Sequence, residues 1–181
     1  MRRMLIEIIH EEIAKFMDFL IEAAREELRA QGHVATGQSL RNITKEVYVN
    51  LGGVSGAKIY VPDHLIILDR GVRASRVPYG GRTGGGGMSR YIAALIQWLA
   101  TVRGGSIQER KKIAFSIAAA AKKEGHPTSG SYKYSTNGRR KGWSQEAIQK
   151  NLHKGEKIIN FTRILQAVID EAYRDIKTHA A

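Results

Sequence analysis

The sequence predicts an α+β fold, in which a long N-terminal helix packs on a small antiparallel sheet and is followed by several helices and long basic loops. Three observations carry that prediction. Apolar residues recur at spacings of three and four over residues 4–30; the period changes to two from Ile43; and helical periodicity returns after residue 88, between segments rich in glycine and basic side chains.

In the first segment Leu5, Ile9, Ile13, Phe16, Leu20, Ala24 and Leu28 form one stripe, with Glu7, Glu11, Asp18, Glu22 and Arg25 on other faces. That is the pattern of an amphipathic helix, and Gly32 supplies the left-handed residue that commonly ends one. Over residues 43–51 Ile43, Lys45, Val47 and Val49 alternate with Thr44, Glu46 and Tyr48, which predicts a strand. Gly52-Gly53-Val54-Ser55-Gly56 brings turn chemistry, and residues 57–61 read as the returning strand that Pro62 closes. His64 to Leu68 is too short and too apolar for periodicity to choose between a buried strand and a helical turn.

Residues 80–87, GGRTGGGG, hold six glycines in eight positions, a backbone entropy that neither helix nor packed strand tolerates. Ser89 then caps a helix running to about Arg103, with Ile92, Leu95, Ile96, Leu99 and Val102 on its apolar face. Ser106 and Glu109 have the spacing of a capping box for a further helix, which Gly125 and Pro127 stop. Residues 125–142, GHPTSGSYKYSTNGRRKG, carry little to bury and read as a long loop. Trp143-Ser144 opens another helix, and a last one is predicted after Gly155 through Ile158, Phe161, Leu165, Val168, Ile169, Ala172 and Ile176. Residues 1–181 thus read as a single α+β domain with flexible loops at about 80–88 and 125–142.

Composition narrows the function classes. With 181 residues and 43% hydrophobic content the chain can bury one ordinary core. It has no cysteine, which excludes disulfides, thiolate-bound zinc and a cysteine nucleophile and fits assembly in a reducing cytoplasm. Glu7, Glu11, Glu12 and Asp18 interrupt the apolar run that a signal peptide or membrane span needs, so a soluble, non-secreted protein without a membrane partner is expected. The formal charge of +12 is unevenly spread: residues 1–69 hold 8 basic and 10 acidic side chains, residues 70–142 hold 15 and 2, and residues 143–181 hold 6 and 5. The middle of the chain therefore projects a field that attracts phosphate or an acidic protein surface.

Catalytic and metal motifs fall short. HEEIA at His10 has Ala14 where a zinc-protease helix needs its second histidine, and no Lys-Ser or Lys-Thr follows the glycine run to make a phosphate loop. Asp63, His64 and Asp69 fit a hydrogen-bonded turn better than an acid/base or metal site, and no glycine-flanked nucleophilic serine is present. A non-enzymatic chain without cofactor or metal is expected. The feature that points to a partner is a mixture of cations and stacking surfaces. Lys133, Arg139, Arg140, Lys141 and Trp143, with Tyr132 and Tyr134, form one set, and Arg70, Arg73, Arg76, Arg82 and Arg90 form a second around the glycine run. Such sets suit phosphate contacts and base stacking on nucleic acid, or an acidic protein neighbour.

The order of the pieces resembles a known family. A long helix leads through Thr36-Gly37 in TGQSLRNI to a hairpin, then to LIILDRGV with Asp69-x-Gly71, a loop bearing glycine and proline, and C-terminal helices. This resembles the small head–tail joining, neck or tail-completion proteins of tailed bacteriophages over roughly residues 5–80. Thr36, Gly37, Leu40 and Ile43 answer to that family's turn from helix to first strand, and Asp69 and Gly71 to the acidic-x-Gly motif that ends a later strand. Leu40 stands three residues after the glycine where the family has leucine two after it, and Asp69-Arg70 stand where it has glutamate and an aromatic. The resemblance implies a structural virion protein, made in the host bacterial cytoplasm and placed in the neck or tail. Its implied partners are identical subunits in a ring, portal, adaptor or tail proteins, and packaged DNA. A basic nucleic-acid-binding module is the alternative.

Overall fold

The computed structural model describes residues 2–34, 36–49, 55–79 and 88–179. The fold is α+β, with a long N-terminal helix, a two-stranded antiparallel sheet and several further helices. In chain order the elements are α1 (Arg2–Ala30), α2 (Gln38–Arg41), β1 (Thr44–Val49), β2 (Ser55–Tyr60), α3 (Asp63–Arg70), α4 (Arg90–Val102), α5 (Ile107–Glu124), α6 (Trp143–Glu156) and α7 (Phe161–His179), with 3-10 turns at Ala74–Arg76 and Ser129–Tyr134. Backbone contacts gather them into two compact units: Met1–Glu26, Ile43–Val61 and Gln145–Ala181 form the first, and Glu27–Asn42 and Pro62–Ser144 the second. Among the described residues no helix is long and apolar enough to cross a membrane. The glycine run at 80–87, with Arg82, and the hairpin turn at 50–54 lie outside the described residues.

In the first unit α1 turns Met17, Ile21 and Ala24 inward. The sheet is tied to it by polar groups as well: Lys45 Nζ donates to Ala14 O at 2.8 Å and pairs with Asp18, and Arg25 reaches Ile43 O at 3.4 Å. The strands pair antiparallel from Thr44 opposite Tyr60 to Val49 opposite Ser55. Gly56 has a packing reason, since a Cβ there would lie 2.8 Å from the Tyr48 ring that crosses it. Lys58 Nζ stands 5.0 Å from the centroid of the same ring, a cation–π contact.

The last helix begins later than its periodicity predicts, at Phe161. Gly155 does not mark the start of that helix. It is a buried residue of α6 on which a Cβ would collide with the Phe16 ring, so glycine there permits a close helix crossing. Asn160 is the cap of α7, accepting from Arg163 N at 2.9 Å. Its own N–H donates to Glu12 Oε2 at 2.9 Å. Glu12 is buried on α1 and also accepts from Lys15 Nζ at 2.7 Å and Arg163 Nη1 at 3.0 Å. The Lys15 ammonium, the Asn160 N–H and the Arg163 guanidinium outweigh the cost of burial and hold this carboxyl at about 2, well below the usual 4.5.

In the second unit the undecided HLIIL segment is helical. Leu65 of α3 is fully buried, and the helix ends at Gly71, whose N–H caps Ile67 O at φ +74°. Asp69-x-Gly71 therefore closes a helix where the family resemblance implies a strand. The Thr-Gly turn is a single helical turn: Gly37 is left-handed, Thr36 Oγ1 accepts from Gln38 N at 3.3 Å, and Leu40 is buried. The α4–α5 pair packs Ile92, Ile96 and Leu99 against Ala114 and Ala118, small residues that bring the two backbones close. Their caps follow the sequence signals, with Ser89 Oγ accepting from Ile92 N and a complete Ser106–Glu109 box.

Candidate anion-facing surface

All of the chain's excess charge lies in the second unit. The first unit carries 12 basic and 12 acidic side chains, and the second carries 17 basic and 5 acidic. Those five acids leave an excess of twelve cations, and most of them are built into local structure. Glu109 is held by Ser106, Glu124 Oε2 accepts from Ser129 N at 2.7 Å, Asp69 binds Ser144, and Glu27 accepts from Gln31 and Asn137. Each accepts from a backbone N–H or a neutral side chain. The fifth, Asp63, opens α3, where the helix dipole favours a carboxylate.

Three tethers collect the predicted cations. Gly71 has left-handed φ, and a Cβ on it would stand 2.6 Å from His126 O. This close approach allows Val72 and His126 to form a β-bridge, with N–O distances of 2.9 and 2.7 Å, beside Arg70 and Arg73. The hydrogen bond and edge-on contact of Tyr91 with His126 brings the start of α4, and hence Arg90, to the same segment. Gly142 N donates to Asp69 O at 2.8 Å, which sets Lys141 beside Arg70. Burial lowers the His126 pKa and raises that of Tyr91, so this joint is neutral in the ordinary pH range.

The 125–142 segment, which composition suggests has little to bury, is laced to its own unit. Ser135 Oγ and Thr136 reach Ala30 O, and Asn137 Nδ2 donates to Glu27 at 2.7 Å. Gln31, fully buried, donates to Glu27 and to Lys141 O. His33 Nε2 lies 3.0 Å from Arg140 O. A carbonyl can only accept, so that nitrogen carries the proton. Burial first, and the Arg140 charge second, lower the His33 pKa to about 4, so the ring is neutral at pH 7.

Of the ten residues expected to meet a partner, Arg70, Arg73, Arg76, Arg90, Lys133, Arg139 and Lys141 are exposed. Lys133 leans over Tyr134, its Nζ 5.1 Å from the ring centroid. Arg82 lies outside the described residues. Two residues are placed differently. Trp143 is buried, its Nε1 donating to Leu65 O at 2.9 Å, so it serves the core instead of a stacking platform. Arg140 turns inward over Gly32 and donates to Gln31 O. The expected set omits Lys122 and Lys123, exposed in the last turn of α5 just ahead of Gly125. A cationic pair closing a helix three residues before the basic loop was the available signal.

Arg70, Arg73, Arg90 and Lys141 thus stand on segments joined by the Val72–His126 bridge, the Tyr91–His126 contact and the Gly142–Asp69 bond, while Lys133 and Arg139 stand on the segment tied to Ala30 and Glu27. Their chemistry is recognition of phosphate or carboxylate oxygens, which arginine contacts in pairs. Among the described residues no three His, Asp or Glu side chains gather as metal ligands. No protein-family model, curated protein or solved structure matches the chain.

Proposed function

We propose that the chain is a ring-forming structural subunit of a tailed-phage virion, a head–tail connector, neck or tail-completion protein. On this reading the second unit faces an anionic partner: packaged DNA or an acidic portal, adaptor or tail protein. One observation carries the reading, namely the division of charge. A unit with 17 basic and 5 acidic side chains is joined to one with 12 of each. The sequence resemblance supplies the virion context. The same charge supports a second reading, a basic nucleic-acid-binding module.

Light scattering and electron microscopy of the purified chain, with a DNA-binding titration over a salt series, separate the two. A structural subunit forms closed particles whose mass is a multiple of 20.1 kDa. A 20.1 kDa monomer that binds duplex DNA overturns the virion reading in favour of the second, provided log K falls linearly with log salt by about 0.9 per phosphate contacted.

A further inference from the structure

Each unit exposes an apolar stripe on a helix. In the first unit Phe161 and Leu165 of α7 are 62% and 60% exposed, and Val168 and Ile169 continue the same face at 43% and 39%. Spacings of four, three and one place all four side chains on one side of the helix. In the second unit Trp98 and Val102 of α4 lie one turn apart and are 46% and 44% exposed, on a helix whose buried face is Ile92, Ile96 and Leu99. An amphipathic helix that leaves its apolar residues in water gains by covering them.

Charge decides which surfaces meet. Two copies that bring their second units together oppose two bodies of 17 basic and 5 acidic side chains, and they repel. A first unit with 12 of each meets a second unit without that penalty. We infer that the apolar face of α7 in one copy docks on the Trp98–Val102 ridge of the next, a head-to-tail contact between unlike units. The inference rests on the ring-forming reading above and names the interface behind it. Unlike surfaces in contact propagate around a ring, whereas α7 pairing with α7 stops at a dimer. The contact is apolar, so it survives high salt, which weakens the DNA binding of the alternative reading.

The test uses Leu165→Glu and Trp98→Glu in the full chain, with mass measured by light scattering at low and high salt. Both positions are exposed, so circular dichroism should match wild type and each variant should still melt cooperatively, at a temperature lowered by no more than the lost assembly accounts for; Val168→Gln and Trp98→Gln serve if either glutamate variant fails to fold. The wild type is expected to assemble and each variant alone to be monomeric. Mixing the two variants restores one intact contact, between α7 of the Trp98 variant and α4 of the Leu165 variant, and should give a one-to-one dimer that grows no further. A mixture that stays monomeric, or a Trp98 variant that assembles like wild type, overturns this interface while leaving ring formation standing. A wild type that is monomeric throughout overturns both.

Discussion

Asp69 holds the start of α6 to the end of α3, and replacing it measures that joint. Its Oδ1 accepts from Ser144 N at 2.9 Å and its Oδ2 from Ser144 Oγ at 2.8 Å, with the carboxyl half-buried. Hydrogen bonds to a charged acceptor contribute about 1.5–3 kcal/mol each when fully formed, and loss of a helix cap costs about 0.5–2 kcal/mol. Partial exposure lets water replace some of what is lost, so Asp69→Ala should destabilise by about 2–3 kcal/mol. For a chain of this size that lowers Tm by about 5–10 °C. Ser144→Ala removes only the Oγ bond and should cost about 1 kcal/mol. Asp69→Asn falls between the two, because its Oδ1 can still accept from Ser144 N and its amide can donate to the Ser144 hydroxyl, but without the carboxylate's charge. Thermal melts of the two single Ala variants and the double variant close a cycle whose coupling should be about 1 kcal/mol. An Asp69→Ala variant within about 0.5 kcal/mol of wild type would refute the cap as a structural tie.

Acid should act through Glu12. Its folded pKa of about 2 lies below the 4.5 of the free group, so its contribution is complete above 4.5 and drains as pH falls towards 2. Wild type should lose more stability than Glu12→Gln across that window, read from melts at each pH. His33 has the same sign for the opposite charge. The unfolded ring takes up its proton near 6.5 and the folded ring near 4, so stability falls between those values on acidification, and ring-nitrogen NMR shifts should show a neutral Nε2–H imidazole at pH 6. The exposed and inward cations should also separate. Arg140→Ala should lower Tm with little direct effect on anion binding, whereas Arg73→Ala combined with Lys141→Ala should leave Tm within a few degrees and weaken binding to a polyanion such as heparin. Equal melting losses in the two variants would contradict the orientation of Arg140.

What could be read from the sequence was local. The stripe of α1, the alternation from Ile43, the Ser89 cap and the Ser106–Glu109 box depend on residues within a turn or two of each other, and each stands where its signal placed it. The helix of α3 was not legible, because five residues from His64 to Leu68 carry no period. What holds it is Leu65 in the core and the Trp143 indole on the Leu65 carbonyl, 78 positions away. Arg140 and Trp143 were misplaced for the same reason. Composition marks them as cation and aromatic, but whether they point outward is settled by Gln31 and Leu65, far off in the chain. The Asn160 cap was available as an Asx residue ahead of an apolar-periodic run, yet Gly155 gave the louder signal and in fact serves a helix crossing.

The fold sharpens the charge pattern that the sequence only sketches. Along the chain the basic block ends at residue 142, with weakly charged flanks on either side. In space the first unit holds equal numbers of each sign, and the ion pairs Lys15–Glu12, Lys45–Asp18, Lys150–Glu146 and Arg163–Glu11 all belong to it. In the second unit Glu109, Glu124 and Asp69 are engaged with backbone N–H groups or serine hydroxyls at helix starts and turns, and five acids against 17 basic side chains leave the unit strongly cationic. A unit arranged in this way bears a self-repulsion that its five acids relieve only in part. An external anion relieves it, and a copy of the same unit aggravates it. The partition that draws a polyanion or acidic protein to the second unit therefore also steers self-association towards contacts between unlike units.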